Sequence, residues 1–561
     1  MLPNAAVVPA ARMTTDAFCG LDCRPRPLDG ACAAMKNLWG GEYPVLAARP
    51  GRGLVATLQS PGGLLAKDAL CWADGSKLYV GGYGVELGLT AGKKQLVSMG
   101  AYAVVFPDKK YLNTKDFTDC GSLEASYTTA GTVAFSLCGP DGKALSYVAA
   151  SAAPEDPAVG ALWLDTAGPA LYRFTASGWS GEPDVQVKLS AAGIGAAFAA
   201  GDGVTVSGTA GLDGLAVLTD AGDDYLLLPG LTTAISQSTP VTVTRSVPDL
   251  DFVTECGNRL WGCKYGLVDG ETVNELYCCK LGDFKNWNCF QGRSTDAWRA
   301  SRGADGPFTG AASFQGSPIF FRETCLERIY PSSEGAHQVA VTQCGGVQRG
   351  CGDSLTVVGG ALYYKSPGGV SAYDGALPSL VSQRLGPCRF QDAVGGALGS
   401  DYYLSVQDGD SRRLLIFDTI RGNWFEQDDP GITALAQCNW ELYALTSSGA
   451  LYALTGAEGE GEEPVEWTLE TGDLGLDVPE HKYITRLRLR CCLGGVMTVS
   501  VQYDSDGVWR PVGQVESLGL RSMTLPVLPR RCDHLRLKLT GSGTFQLFSL
   551  SRMLETGSDE P

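Results

Sequence analysis

The chain is predicted to be all-β: a β-propeller with an inserted small β-domain and a C-terminal β-sandwich. Three observations lead there. An apolar–aromatic dipeptide following a turn recurs about every 40 residues, with Phe320, Tyr363, Tyr403 and Tyr443 lying 43, 40 and 40 residues apart. Glycine supplies 73 of 561 residues without a three-residue repeat, scattered among short Tyr, Val and Leu runs, which implies many tight turns between short strands. Beyond Gly456 the pattern becomes a two-residue alternation, the period of a half-buried strand.

Taken in order, residues 1–50 read as an extended N-terminal arm and 51–138 as the first propeller blades, with Leu78-Tyr79 as an early instance of the recurring dipeptide. The step from Tyr79 to Trp261 is too long for one blade. Within it, 139–245 has its own Ala-, Thr- and Gly-rich texture and short strands such as Gly203–Ser207, so it reads as a domain inserted into a propeller loop. Residues 246–455 carry the remaining blades. A unit of about 40 residues with several short strands cannot cover its own sheet faces, so such units stack round an axis. Residues 456–464 form an acidic linker.

The stretch 465–555 is expected to be a sandwich, with 556–561 as a flexible tail. On its first long strand Tyr483, Thr485, Leu487 and Leu489 are expected on one face and Arg486, Arg488 and Arg490 on the other. Leu535, Leu537 and Leu539 alternate with His534, Arg536 and Lys538.

Composition narrows the chemistry. With 44 basic and 61 acidic residues the net charge is −17, which disfavours wrapping nucleic acid by bulk electrostatics but leaves room for a local basic stripe. Only three histidines are present, a poor provision for acid–base work near neutral pH. No GxSxG, HExxH or Walker A pattern occurs, and no cofactor or metal is expected. The 19 cysteines are scattered without CxxC pairs and read as reduced, buried, small apolar residues. Asp504-Ser-Asp-Gly-Val-Trp509 lacks the later ligands of a calcium loop and reads as a hairpin turn. The N-terminus lacks a basic region followed by an apolar run, so no signal peptide is expected, and no run is long enough for a membrane span.

Two groups of residues stand out as candidate sites. Arg486, Arg488, Arg490, Arg536 and Lys538 form a basic set in an acidic chain, either a solvated sheet face or an assembly contact for an acidic partner or passing DNA. Trp163, Tyr172 and Trp179, with Phe174, form either the core of a small β-domain or a glycan-stacking platform.

Several segments resemble structural proteins of tailed bacteriophages. They are Asp251-Phe-Val-Thr-Glu-Cys-Gly-Asn-Arg-Leu-Trp-Gly-Cys263 and Val273-Asn-Glu-Leu-Tyr-Cys-Cys-Lys-Leu-Gly-Asp-Phe-Lys-Asn-Trp287, with Phe18-Cys-Gly-Leu-Asp22, Met35-Lys-Asn-Leu38, Tyr43-Pro44 and Arg49-Pro-Gly-Arg52 before them. Pro154-Glu-Asp-Pro157 and Gly160-Ala-Leu-Trp-Leu-Asp-Thr166, ending at Gly178-Trp179, look like a small module of phage tail proteins. The nearest resemblance is to the β-propeller tail nozzle and packaged-DNA stabilisation proteins of short-tailed phages.

That resemblance implies a structural, non-enzymatic subunit of the virion tail or neck, folded in the host cytoplasm. The subunit would form a ring with copies of itself, contact neighbouring tail, neck or portal-adaptor proteins, and help retain DNA and pass it during ejection. A receptor-binding tail protein recognising host surface glycan, and a propeller-fold glycan hydrolase, are the alternatives.

Overall fold

The computed structural model describes residues 10–303, 306–478 and 480–556. The secondary structure of these residues is β throughout, apart from two single 3-10 turns at Gly352–Ser354 and Gln383–Leu385. The expected tail lies outside the described residues except for Thr556, as do the first nine residues of the arm.

Among the described residues, seven four-stranded antiparallel units follow one another over 61–86, 95–122, 252–301, 310–343, 356–380, 391–428 and 432–453, the last completed by Gly53–Thr57. Their first strands touch in turn, directly or through Gly352–Ser354, and the strand of unit seven returns to that of unit one. This is the closed ring of a propeller. The closing strand comes from the opposite end of the chain: Leu54 pairs with Tyr452 and Thr57 with Ala450, so the ring is fastened by backbone hydrogen bonds between the N-terminal segment and unit seven.

The 40-residue recurrence has a physical origin. Phe320, Tyr363, Tyr403 and Tyr443 all lie in the second strand of their units, where a sheet is covered on both faces by its neighbours. Ser317–Phe321 and Glu441–Thr446 are buried at every position, as strands covered on both sides are. Leu78-Tyr79 is out of this phase. It belongs to the third strand of unit one, and the equivalent second strand is Leu70–Asp74, with Trp72 stacked on Tyr79 at 5.4 Å.

Between units two and three the chain leaves the ring at Ala125 and returns at Arg245, which pair directly with each other. The expected start at 139 is therefore late. Ala125–Thr128 and Val133–Cys138 already belong to the sheets of this unit, because their partners Thr242–Arg245 and Gln186–Ser190 lie within it. Val133, Val187, Leu189, Val204, Leu226 and Val243 form its separate core. It leans on unit three through Asn286, whose side chain accepts from Gly203 N at 2.9 Å and donates to Asp202 at 2.9 Å.

The C-terminal residues are built on one strand of 22 residues, Lys482–Tyr503. Its first half bonds Phe545–Thr556 and its second half bonds Leu535–Ser542, with the change at Gly494 and Gly495. The ribbon doubles over there, so that Leu489, Leu547 and Leu550 face Leu537 and Leu539 across an apolar interior. A bulge between Ile484 and Arg486 moves the expected phase by one residue at the start. Tyr483 is 37% exposed, whereas Ile484 is 2% exposed and takes the inward position.

The N-terminal segment is woven into this unit rather than lying free as an arm. Ala10–Thr15 pairs with Phe545–Thr556, and Cys32–Lys36 with Glu466–Thr471. Leu38 then bonds Glu426 in the outer strand of unit six, so one continuous sheet joins the C-terminal unit to the ring. The acidic linker is pinned as well, since Glu460–Gly461 pairs with Gly53-Leu54.

All 19 cysteines are free and thirteen are buried. Burial pushes the thiols of Cys32 and Cys278 up to about 12, which keeps them protonated and inert. Asp504-Ser-Asp-Gly-Val-Trp509 does make the turn from Lys482–Tyr503 into Arg510–Thr524; Asp506 pairs with Arg510 at 2.6 Å, and Asp504 accepts from Asp533 N at 2.7 Å.

Candidate functional site

Three places on the molecule can do chemistry or bind. The first is the axis of the ring, a cavity of about 730 Å³ bordered by the first strands of all seven units. Glycine is needed where these strands crowd together. A Cβ on Gly63 would lie 2.8 Å from the carbonyl oxygen of Lys94, and one on Gly395 2.4 Å from that of Ser354.

One mouth of the axis is crossed by an ion pair between Lys93, before unit two, and Asp353, before unit five. Beside it Lys94 is buried against Asp108 at 2.6 Å and donates to Thr90 at 2.8 Å. Burial opposes ionisation of Asp108, but the bonds from Lys94 and Thr90 outweigh it and hold the carboxyl below its ordinary value. A side vestibule of about 310 Å³ adds Thr309, whose buried hydroxyl has no partner among the described residues, and Asp251, which is held by Lys264 at 2.9 Å. The three carboxylates Asp353, Asp108 and Asp251 are thus each already engaged by a lysine.

The second place is the small sheet of Val148–Ala150, Leu162–Asp165, Ala170–Thr175 and Gly178–Gly181. Leu162, Leu164 and Leu171 point into the core of their unit. The alternate residues put Trp163, Tyr172, Phe174 and Trp179 together on the other face. Trp163 stacks on Tyr172 at 5.1 Å and meets Trp179 edge-on at 5.5 Å, while Phe174 meets Trp179 at 5.2 Å. Trp163 is buried beneath its neighbours and donates to Ala150 O at 2.9 Å, whereas Tyr172 and Trp179 are half-exposed. The four rings therefore form an outward aromatic face, with Trp163 as its floor.

The third place is the basic set, which the structure divides. Arg486, Arg488 and Arg490 are exposed on the outer face of the first half of the long strand. Arg536 and Lys538 pair with Gln502 and Ser500 of its second half. Because the ribbon doubles over, these two groups emerge on opposite outer sides, so the expected single basic face does not form. Arg536 is moreover neutralised by Asp473 at 2.9 Å and Lys538 by Glu470 at 2.8 Å. The side chains of Arg486 and Arg488 make no ion pair or hydrogen bond among the described residues, and that of Arg490 reaches only Ser522, at 3.5 Å.

His337 is wedged edge-on against Trp261 and Trp298 and accepts at Nδ1 from Ser332 N. Burial, with Arg259 nearby, holds its pKa below the ordinary value, so it is neutral at pH 7. Among the described residues no group of three or more His, Cys, Asp or Glu side chains is placed to hold a metal, and no helix is long and apolar enough to cross a membrane.

The sequence did not point to a further cluster, centred on Arg49 and Arg52. Both guanidiniums are buried and meet Asp428 and Glu462 where the arm, unit six and the linker converge. The Arg-Pro-Gly-Arg spacing was the available signal, but its carboxylate partners lie hundreds of residues away.

No family model matches the chain, and no curated protein matches it. Among solved structures it is similar to a glycoside hydrolase family 43 arabinoxylan arabinofuranohydrolase from Bacillus subtilis, at 11% identity and a TM-score of 0.20, over 55% of this chain and 95% of that one. A second structure, described as a glycoside hydrolase, is similar at 10% identity and a TM-score of 0.20, over 53% and 96%. A Bacillus thuringiensis Cry1Da tryptic core variant follows at 11% identity and a TM-score of 0.13, over 44% and 50%. The expectation of a chain without enzymatic activity is corrected here: the neighbours named first are glycoside hydrolases, and that exclusion is withdrawn.

Proposed function

We propose that the chain is a structural subunit of a bacteriophage virion tail or neck, assembling with copies of itself into a ring of the nozzle or stabilisation type that helps retain and pass DNA. In this reading the folded-over C-terminal ribbon is a β-sandwich docking module, and 125–245 is a domain inserted into the propeller. The observation that carries the reading is the exposed row of Arg486, Arg488 and Arg490, left without carboxylate partners in a chain of net charge −17 and fixed to the propeller by a continuous sheet. Like charges held side by side repel, and an acidic partner relieves the repulsion. A cavity of about 730 Å³ is the size of a small-ligand site, so any passage for duplex DNA would lie between subunits rather than through one propeller.

The test is to replace Arg486, Arg488 and Arg490 with Ser and follow incorporation into particles. The isolated fold should be nearly unchanged, because exposed charges contribute little to stability. Incorporation should fall, and added salt should weaken that of the parent more than that of the variant, which lacks the charges salt screens. Parental assembly and infectivity of the triple variant would overturn the reading.

A receptor-binding role is the second reading, favoured by the aromatic face of Trp163, Tyr172, Phe174 and Trp179. Half-exposed rings of this kind stack on the apolar faces of sugars. Binding of host surface glycan that is lost on Trp179→Ala would move the main role there. Saccharide release abolished by Asp353→Asn or Asp251→Asn would move it to catalysis in the axial cavity.

A further inference from the structure

Strand register extends the arginine row into a larger surface. Arg490 lies opposite Ser522, Cys492 opposite Leu520, Gly494 opposite Leu518 and Val496 opposite Glu516. Leu518, Leu520 and Val496 are 80%, 48% and 45% exposed, an apolar cluster at the tip of the doubled ribbon directly beyond the arginines. On the other side of the row Arg12 joins it through Met553, which pairs with both Arg12 and Arg486. Among the described residues Glu555 and Glu516 stand at the two ends of this face, and Glu42 reaches its flank, accepting from Gln546, opposite Cys492, at 3.0 Å. The strand that carries Leu518 and Leu520, Arg510–Thr524, bonds Lys482–Tyr503 alone, so among the described residues its outer edge is unpaired over 15 residues.

Resting on the structural-subunit reading, we infer that this face is where a second copy of the chain docks, head to tail. Two features choose the partner. An apolar cluster beside unpaired arginines matches the anatomy of a protein interface, an apolar centre with a charged margin, and a phosphate backbone offers nothing for exposed leucines to bury against. The rest of the chain supplies the complementary charge: with 44 basic against 61 acidic residues, and four of the basic ones gathered here, the remaining surface is strongly acidic.

The same charges set the symmetry. A two-fold contact of this face with itself would bring the arginine rows together, which is repulsive. A heterologous contact with an acidic face avoids this and propagates from copy to copy until it closes as a ring.

The experiment is sedimentation velocity of the full chain across a concentration series at low and high salt, with a 20-base-pair DNA duplex as a separate arm. The parent is expected to form assemblies larger than a dimer. The double variants Leu518→Asp/Leu520→Asp and Arg488→Glu/Arg490→Glu should each weaken self-association by about tenfold or more, with unchanged thermal unfolding; a tenfold loss corresponds to about 1.4 kcal/mol. A strictly monomeric parent, a dimer that grows no further, or assemblies that survive both variants would overturn the inference. So would duplex binding by a monomeric parent that the arginine variant alone abolishes. If the leucine variant enters particles normally, this inference fails and the virion reading stands. If the chain is absent from particles but its assemblies dissolve in both variants, the reverse holds.

Discussion

Arg49 grips Glu462 with both arms of its guanidinium, Nη2 to Oε1 at 2.7 Å and Nη1 to Oε2 at 3.0 Å, across 413 residues of sequence. The same Nη2 lies 3.0 Å from Asp428, which also receives Arg52. Arg52 N donates to Glu462 at 2.7 Å, and Asn37 accepts from both Arg49 Nε and Asp428 N. The arm, the outer strand of unit six and the linker therefore meet in one ionic knot, and the paired geometry is the strong form of such a bond. Arg49→Met should lower stability by about 1–3 kcal/mol, because Glu462 loses its side-chain cation and Asp428 one of its two, in a partly buried setting. Lys should rescue only part, since it cannot bond in two places at once. Thermal unfolding of the three proteins checks both statements.

Acid should loosen that knot. Burial opposes ionisation of Asp428 and Glu462, yet the charges and hydrogen bonds of Arg49 and Arg52 win and hold both carboxyls below their ordinary values of 3.8 and 4.5. The stability they contribute is present above those ordinary values and is lost as pH falls through the lower folded ones. Below about pH 4, exchange of the amides of Gly53–Thr57 should accelerate before that of the strands of unit four. Simultaneous acceleration would count against a local clamp.

Asp401 behaves in the opposite sense. Burial first, and the charge of Asp418 next, raise its carboxyl to about 6 despite Arg421. A raised acid binds its proton more tightly in the fold, so stability is highest below its ordinary 3.8 and falls as pH rises towards 6. Asp401→Asn should therefore stabilise the protein at pH 7 by about 1–2 kcal/mol, allowing for partial exposure. It should change little at pH 3.5. A melting-temperature series across pH separates the two regimes, and no gain at pH 7 would refute the assignment.

Removing 125–245 and bridging the gap with a short Gly/Ser linker should leave a soluble β-protein, because Ala125 and Arg245 are neighbours in one sheet and the core between them is separate. The newly bared side chains are few: Asn286 loses two hydrogen bonds, Lys280 loses its bond to Gly201 O, and Cys289 and Ala297 lose Val217. Cooperative unfolding of the shortened chain is the expected result. Aggregation of several linker designs would mean that the ring needs this unit.

The sequence was legible where local pattern and burial coincide. Phe320, Tyr363, Tyr403 and Tyr443 repeat because the second strand of each unit is enclosed by its neighbours, and that enclosure leaves a mark in every unit from four to seven. Units one and two carry the mark weakly. Trp72 has the right place, but the residues of the equivalent strand in unit two, Tyr102–Phe106, are mainly small or β-branched, so the eye settles on Tyr79 one strand later. The boundary at Ala125 was missed because Ala125–Thr128 reads like any edge strand until its partner, more than a hundred residues on, is known.

The arginine row was visible by alternation. Its separation from Arg536 and Lys538 was not, because two adjacent glycines inside an otherwise regular strand do not announce that the ribbon doubles over. The Arg49 knot was invisible for the same reason as the boundary: its meaning resides in residues far away in sequence.

The strand Gly53–Thr57 that fastens the ring has a temporal consequence. Its partner, Ala450–Ala453, emerges from the ribosome some 400 residues later, and the partner of Ala10–Thr15 later still. At synthesis rates of about 5–20 residues per second, the early strands wait on the order of 20–80 s before they can pair. Throughout that interval the growing chain carries two unmatched strand edges, one at each end of an open arc, each able to capture the other or an identical neighbour. Contacts of such long sequence separation also close slowly once both partners exist. A chaperone that shields Gly53–Thr57 during this wait would raise the yield of closed rings without touching the finished protein.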